Sequence, residues 1–176
     1  ILIKNAKIVN EGQVFEGDVL IEDDYIVDIA VSISAKSAAT TIIDAEGNYL
    51  IPGMIDDQVH FREPGLTQKG DIAHASAAAG AGGVTSFMEM PNTRPQTTTL
   101  EALHDKYARA ARKSLANHAF YMGATNDNLE ELKRLPPGLA CGIKVFMGAS
   151  TGNMLVDDPA TLDAIFREAP ALLITH

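Results

Sequence analysis

Apolar alternations fill the first fifty residues in short runs: Ile1-Leu2-Ile3, Ala6-Lys7-Ile8-Val9, Asp18-Val19-Leu20-Ile21 and Tyr25-Ile26-Val27-Asp28-Ile29. Turn formers such as Asn10-Glu11-Gly12 and Glu22-Asp23-Asp24 separate them. Thr41-Ile42-Ile43-Asp44 and Tyr49-Leu50-Ile51 add two further strand candidates. Strands this close together, with no helical period between them, predict a small β-sandwich module over 1–51. A single β-meander is the alternative that the pattern leaves open.

From Pro52 the period switches between two and 3.6. Strands are predicted over 54–61, 84–90, 119–123, 142–147 and 172–176, with helices over 69–81, 99–115, 128–135 and 159–168. The second helix carries Leu100, Leu103, Tyr107 and Ala111 on one face, and Pro136-Pro137 stops the third. Alternating strands and helices require parallel crossovers, hence an α/β barrel or an open doubly wound sheet. The polar residues choose between them. His60, Arg62, Asn92, Lys144 and His176 fall at or just after the C-terminal ends of strands, which converge on one mouth only in a barrel. A whole barrel uses roughly 250 residues, so 52–176 reads as the first half of one, truncated. Ile1 opens inside a strand and His176 closes one, so the chain reads as a fragment of a longer protein.

Composition narrows the partners. With 14 basic against 23 acidic residues the chain carries a net charge of −9, which opposes nucleic acid as a ligand. An apolar content of 46% is enough for a packed core and excludes a disordered acidic tail. No apolar run reaches the length of a membrane span. The lone Cys141 cannot form an internal disulfide and no leader pattern is present, so a cytoplasmic location is expected.

The stretch Pro52-Gly53-Met54-Ile55-Asp56-Asp57-Gln58-Val59-His60-Phe61-Arg62-Glu63-Pro64-Gly65 resembles the first barrel strand of the cyclic amidohydrolases, and within them the dihydroorotases. That family ends the strand with His-x-His, then Arg two residues on, then an acidic-Pro-Gly turn. Met90-Pro91-Asn92-Thr93 resembles its second strand motif, and Gly142-Ile143-Lys144-Val145-Phe146 its lysine strand. His176 stands where the family places another ligand. The resemblance implies a metal-dependent hydrolase of the TIM-barrel class, with two divalent metals, zinc by expectation. His60, Lys144 and His176 are the implied ligands, Lys144 as a CO2-derived carbamate bridging both ions. Arg62 and Asn92 are implied to hold the substrate carboxylate. The implied reaction is reversible hydrolysis of dihydroorotate to carbamoyl aspartate, in pyrimidine synthesis. The general base, an Asp on the last strand, is expected beyond this chain, and the whole enzyme is expected to be a homo-oligomer.

Gln58 departs from the pattern, because a neutral amide is a poor zinc ligand beside imidazole. Asp56 shares its strand face and Asp57 does not. Two other readings remain: a hydantoinase or allantoinase acting on uncharged rings, for which Arg62 has no use, and a noncatalytic scaffold, supported by Gln58. His74, His104 and His118 read as solvated, Gly80-Ala81-Gly82-Gly83 as a helix end, and 148–153 as a barrel loop near the metals.

Overall fold

The structure, a computed structural model, describes residues 1–149 and 153–176. The middle of the expected loop, residues 150–152, therefore lies outside the described residues. The chain divides into two compact units, Ile1–Pro52 and Gly53–His176.

In the first unit β1 (Leu2–Asn10), β2 (Gln13–Glu22), β3 (Tyr25–Ala30), β4 (Ile42–Asp44) and β5 (Tyr49–Leu50) form one sheet. β1 to β3 are an antiparallel meander, while β4 and β5 pair in parallel along the free edge of β1. The two runs read as separate strands before Asn10 are one strand, interrupted where the register shifts between Ile3 and Ala6. Asn5 sits there at φ 56, and the Asp18 carboxylate accepts its N–H at 3.0 Å and that of Ile33 at 2.8 Å. That buried carboxylate replaces the ladder bonds that the irregularity removes. Leu2, Leu20 and Ile33 cluster on one face, Ala6, Ile8 and Val19 on the other. The expected sandwich is thus represented by a single sheet with apolar residues on both faces.

The second unit runs β6 (Met54–Val59), α1 (Ile72–Ala81), β7 (Val84–Glu89), α2 (Leu100–Lys113), β8 (Asn117–Gly123), α3 (Leu129–Lys133), β9 (Gly142–Val145), α4 (Pro159–Glu168) and β10 (Leu173–Thr175). All its strand pairs are parallel and the sheet order β6-β7-β8-β9-β10 follows the sequence. A doubly wound sheet reverses direction at a switch point, and this order has no reversal. It is a half barrel of the TIM type.

Side chains on the helix side of this sheet make the core. Val59, Phe61, Phe87, Phe120, Met122, Ile143 and Val145 pack with Leu103, Ala110, Leu132 and Ile165 from the helices. Asp71, Thr99 and Asp158 cap α1, α2 and α4, each accepting an N–H three residues on, and Pro159 opens α4 as expected. The cap at Asp71 starts α1 three residues later than the period suggests. In α2 the buried face is Leu103, Lys106 and Ala110, whereas Ala111 is exposed, so the apolar stripe is rotated from its expected position and includes a lysine.

Candidate active site

A cavity of 320 Å³ at the C-terminal ends of the strands is lined by Gln58, His60, Arg62, Met90, Asn92, Lys144, Phe146, Ala149 and His176. All six residues singled out from the sequence line it. The period of two explains the first pair: Val59 and Phe61 point into the core, so Gln58 and His60 face the other way. β6 ends at Val59, and by Arg62 the backbone has turned to φ 68, off the ladder. Asn92 follows β7 at the same height, since Met90 N–H still bonds the Val59 carbonyl at 3.0 Å. Lys144 lies within β9 between the fully buried Ile143 and Val145, on the opposite face from both. His176 extends β10: its N–H donates to the Val145 carbonyl at 3.1 Å, and its own carbonyl accepts from Met147 N–H at 2.7 Å.

His60 Nδ1 donates to Asn92 Oδ1 at 2.9 Å, which leaves the Nε2 lone pair free. Partial desolvation lowers the His60 pKa below its ordinary 6.5; the Asn92 bond opposes that shift, and the charges of Arg62 and Lys144 reinforce it. The net shift favours the neutral ring. Lys144 is only 2% exposed and has no hydrogen bond or ion pair among the described residues. Its Nζ lies 5.3 Å from the centroid of Phe146, whose ring also meets that of His176 edge-on. Desolvation lowers the Lys144 pKa from 10.5, toward the neutral amine. Asp56 turns its carboxylate back to the Gln58 N–H at 3.1 Å, and neither Asp56 nor Asp57 lines the cavity. Among the described residues no group of three or more His, Cys, Asp or Glu gathers as a metal cage. The donors that do gather are two imidazoles, an amine and an amide.

The other histidines divide. His74 and His104 are exposed, but His118 is half-buried against Phe87, Tyr107 and Phe120 and bonds the Ala116 carbonyl, so the expectation that it is solvated fails. Burial pushes the Cys141 thiol up to about 11, so it offers no thiolate at neutral pH.

Three residues behind the cavity carry structure that sequence reasoning missed. Glu89 and Lys106 form an ion pair at 2.7 Å with both side chains essentially sealed from solvent. Glu89 Oε1 accepts the Arg62 N–H at 3.1 Å, and Lys106 Nζ donates to the Met90 carbonyl at 3.1 Å. Burial raises the Glu89 pKa, opposed by Lys106 and by the N–H groups of Arg62 and Phe61. On the other side of Arg62, the buried Glu63 accepts from Ile72 N–H at 3.1 Å and from Lys113 Nζ at 2.5 Å. The signal was available: a lysine on the apolar stripe of α2 and a glutamate in an apolar strand are opposite charges at buried positions.

The family described as Dihydro-orotase-like matches residues 47–140 of the chain. An L-hydantoinase of Paenarthrobacter aurescens is 34% identical over 100% of this chain and 39% of its own length. A dihydroorotase of Carboxydothermus hydrogenoformans is 39% identical over 99% of this chain and 41% of its own. Among solved structures, the L-hydantoinase (dihydropyrimidinase) from Arthrobacter aurescens superimposes with a TM-score of 0.91 at 31% identity, covering 99% of this chain and 40% of that one. The chain thus spans about two fifths of the length of the relatives it matches.

Proposed function

We propose that this chain, which belongs to the Dihydro-orotase-like family, carries the substrate-reading part of a dihydroorotase site. The reaction is reversible hydrolysis of the ring amide of dihydroorotate. A C–O bond forms to water, the C–N bond breaks, the ring nitrogen takes a proton, and carbamoyl aspartate results with a second carboxylate. The observation that carries the proposal is the position of Arg62. It is a half-buried guanidinium with no ion pair among the described residues, in one cavity with His60, Asn92, Lys144 and His176.

In this reading Arg62 binds the substrate carboxylate through its planar fork, with Asn92 beside it. The amide of Asn92 also fixes the His60 ring, so it orients a ligand while its remaining N–H groups are free to meet the substrate. The donor set fits a divalent cation, zinc by expectation: His60 Nε2, His176 and Lys144 would hold it, with Gln58 the weakest donor. Such a cation, when bound, supplies Lewis acidity to the ring carbonyl and lowers the pKa of water. Lys144 is suited to carboxylation. Its neutral amine attacks CO2, an N–C bond forms, nitrogen loses a proton, and the resulting carbamate is an anionic ligand.

The high structural likeness to an L-hydantoinase favours a second reading, a cyclic amidase for uncharged rings. It would leave Arg62 without a counter-charge in a partly desolvated place. Turnover of dihydroorotate and of hydantoin by the full-length protein, with metal content measured on the same sample, separates them. Hydrolysis of dihydroorotate, lost on Arg62→Ala, supports the first; hydrolysis of hydantoin alone establishes the second.

A further inference from the structure

A second cavity, of 340 Å³, adjoins the first and shares Arg62 and Asn92 with it. Its remaining charged lining is Lys69 and Arg94, and no acidic residue faces it. None of these three cations has an ion pair among the described residues. Elsewhere Lys106, Arg109, Lys113, Lys133, Arg134 and Arg167 are all paired with carboxylates. Of the six lysines and arginines without an ion pair among the described residues, Arg62, Lys69 and Arg94 line this space and Lys144 lines the adjoining one, while Lys7 and Arg112 lie elsewhere.

The walls are built, not draped. Arg94 N–H donates to the Pro64 carbonyl at 3.0 Å, joining the loop after β7 to the loop after β6. Leu66 N–H bonds the Arg62 carbonyl, Lys69 N–H bonds the Leu66 carbonyl, and the Thr93 hydroxyl donates to the Pro95 carbonyl at 2.8 Å. Gly65 stands at φ 80 against Arg94, where a Cβ would collide with the Arg94 carbonyl oxygen. The backbones that carry the three cations are therefore fixed relative to one another. Three like charges held around a space of small-molecule size repel one another, and an anion relieves the repulsion.

We propose that this cavity is a carboxylate-docking site that favours the ring-opened dicarboxylate over the cyclic monocarboxylate. The proposal rests on the dihydroorotase reading, in which the two sides of the reaction differ by one negative charge. The field of Lys69 and Arg94 acts on the whole charge of the ligand, so the logarithm of its effect doubles from monoanion to dianion. The equilibrium constant fixes the ratio of kcat/KM in the two directions, so the preference shows in binding constants.

The test uses the full-length protein and the pair of substitutions Lys69→Gln and Arg94→Gln together. At low ionic strength the inhibition constant of carbamoyl aspartate against dihydroorotate hydrolysis should rise about tenfold, and the dihydroorotate KM about threefold. Both effects should shrink toward none near 0.5 M salt, where screening is short-ranged. Equal rises for the two ligands, or no rise, overturn the proposal. If the wild type does not hydrolyse dihydroorotate, the dihydroorotase reading fails. Calorimetric titration of both proteins with carbamoyl aspartate and with dihydroorotate then judges the cavity alone. A larger loss for the dianion upholds it, and identical affinities refute it.

Discussion

Replacing Lys106 by Met while Glu89 stays in place leaves a carboxylate about 1% exposed without the cation that lies 2.7 Å from it. The substitution also removes the donor to the Met90 carbonyl. Breaking one side of a buried pair costs about 3–5 kcal/mol, a large share of the roughly 5–15 kcal/mol that holds a domain together. Adding Glu89→Gln removes the stranded charge, and the Gln carbonyl still accepts the Arg62 N–H that Glu89 Oε1 accepts at 3.1 Å. The double variant should therefore regain all but about 1–2 kcal/mol. Urea denaturation of the full-length wild type, both single variants and the double variant gives the coupling energy directly. The pH dependence supplies a second readout. Burial already raises the Glu89 pKa above its ordinary 4.5, and losing Lys106 raises it further. With the folded value above the unfolded one, the folded state binds the extra proton between them. Lys106→Met should be most stable below about pH 4.5 and weaken as pH rises through the folded value. If Lys106→Met stays within about 1 kcal/mol of wild type, or if the double variant is no better than the single, the pair is not the buried tie described here.

Arg62→Lys keeps the charge and loses the fork, so dihydroorotate binding should weaken, while Arg62→Ala should cost about 2–5 kcal/mol in kcat/KM; unchanged turnover would remove Arg62 from substrate recognition. Gln58→His should raise metal stoichiometry after graded chelation, because imidazole is the better zinc ligand; equally tight metals in the wild type would show that another donor fills that place. Asp18 is held below its ordinary 3.8 by the Ile33 and Asn5 N–H groups, so its stabilisation is complete above that value and fades as pH falls through the folded one. Asp18→Asn should lose that acid dependence and speed hydrogen exchange at Asn5 and Ile33; exchange as slow as in wild type would refute the role.

What the sequence made legible was whatever depends on period and punctuation. Val59 and Phe61 alternate with Gln58 and His60, so the face of each could be read in advance. The bounds of α4 match because Asp158 and Pro159 are local signals. The errors sit where a distant partner decides. β1 runs through Asn5 because Asp18, thirteen residues on, satisfies the irregular backbone. α1 begins at Ile72 with its first N–H held by Glu63, nine residues back. Glu89 and Lys106 each carried a sequence signal, a charge at an apolar position, but that they pair with one another is decided only when β7 and α2 pack. His118 looked like a strand-start residue, yet the rings of Phe87, Tyr107 and Phe120 enclose it.

Arg62 is held by two carboxylates that never touch its guanidinium: Glu89 bonds its own N–H, while Glu63, next in the chain, bonds α1 and α2. The frame of that turn is thus indifferent to the side chain it displays. Its left-handed backbone, at φ 68, would suit Asn or Gly at least as well as Arg. On the proposed role of Arg62, a single codon change there can then alter which ligand charge is favoured without rebuilding the loop. For a lineage whose relatives include both a dihydroorotase and an L-hydantoinase, such a turn is a place where substrate preference can drift while the fold stands still.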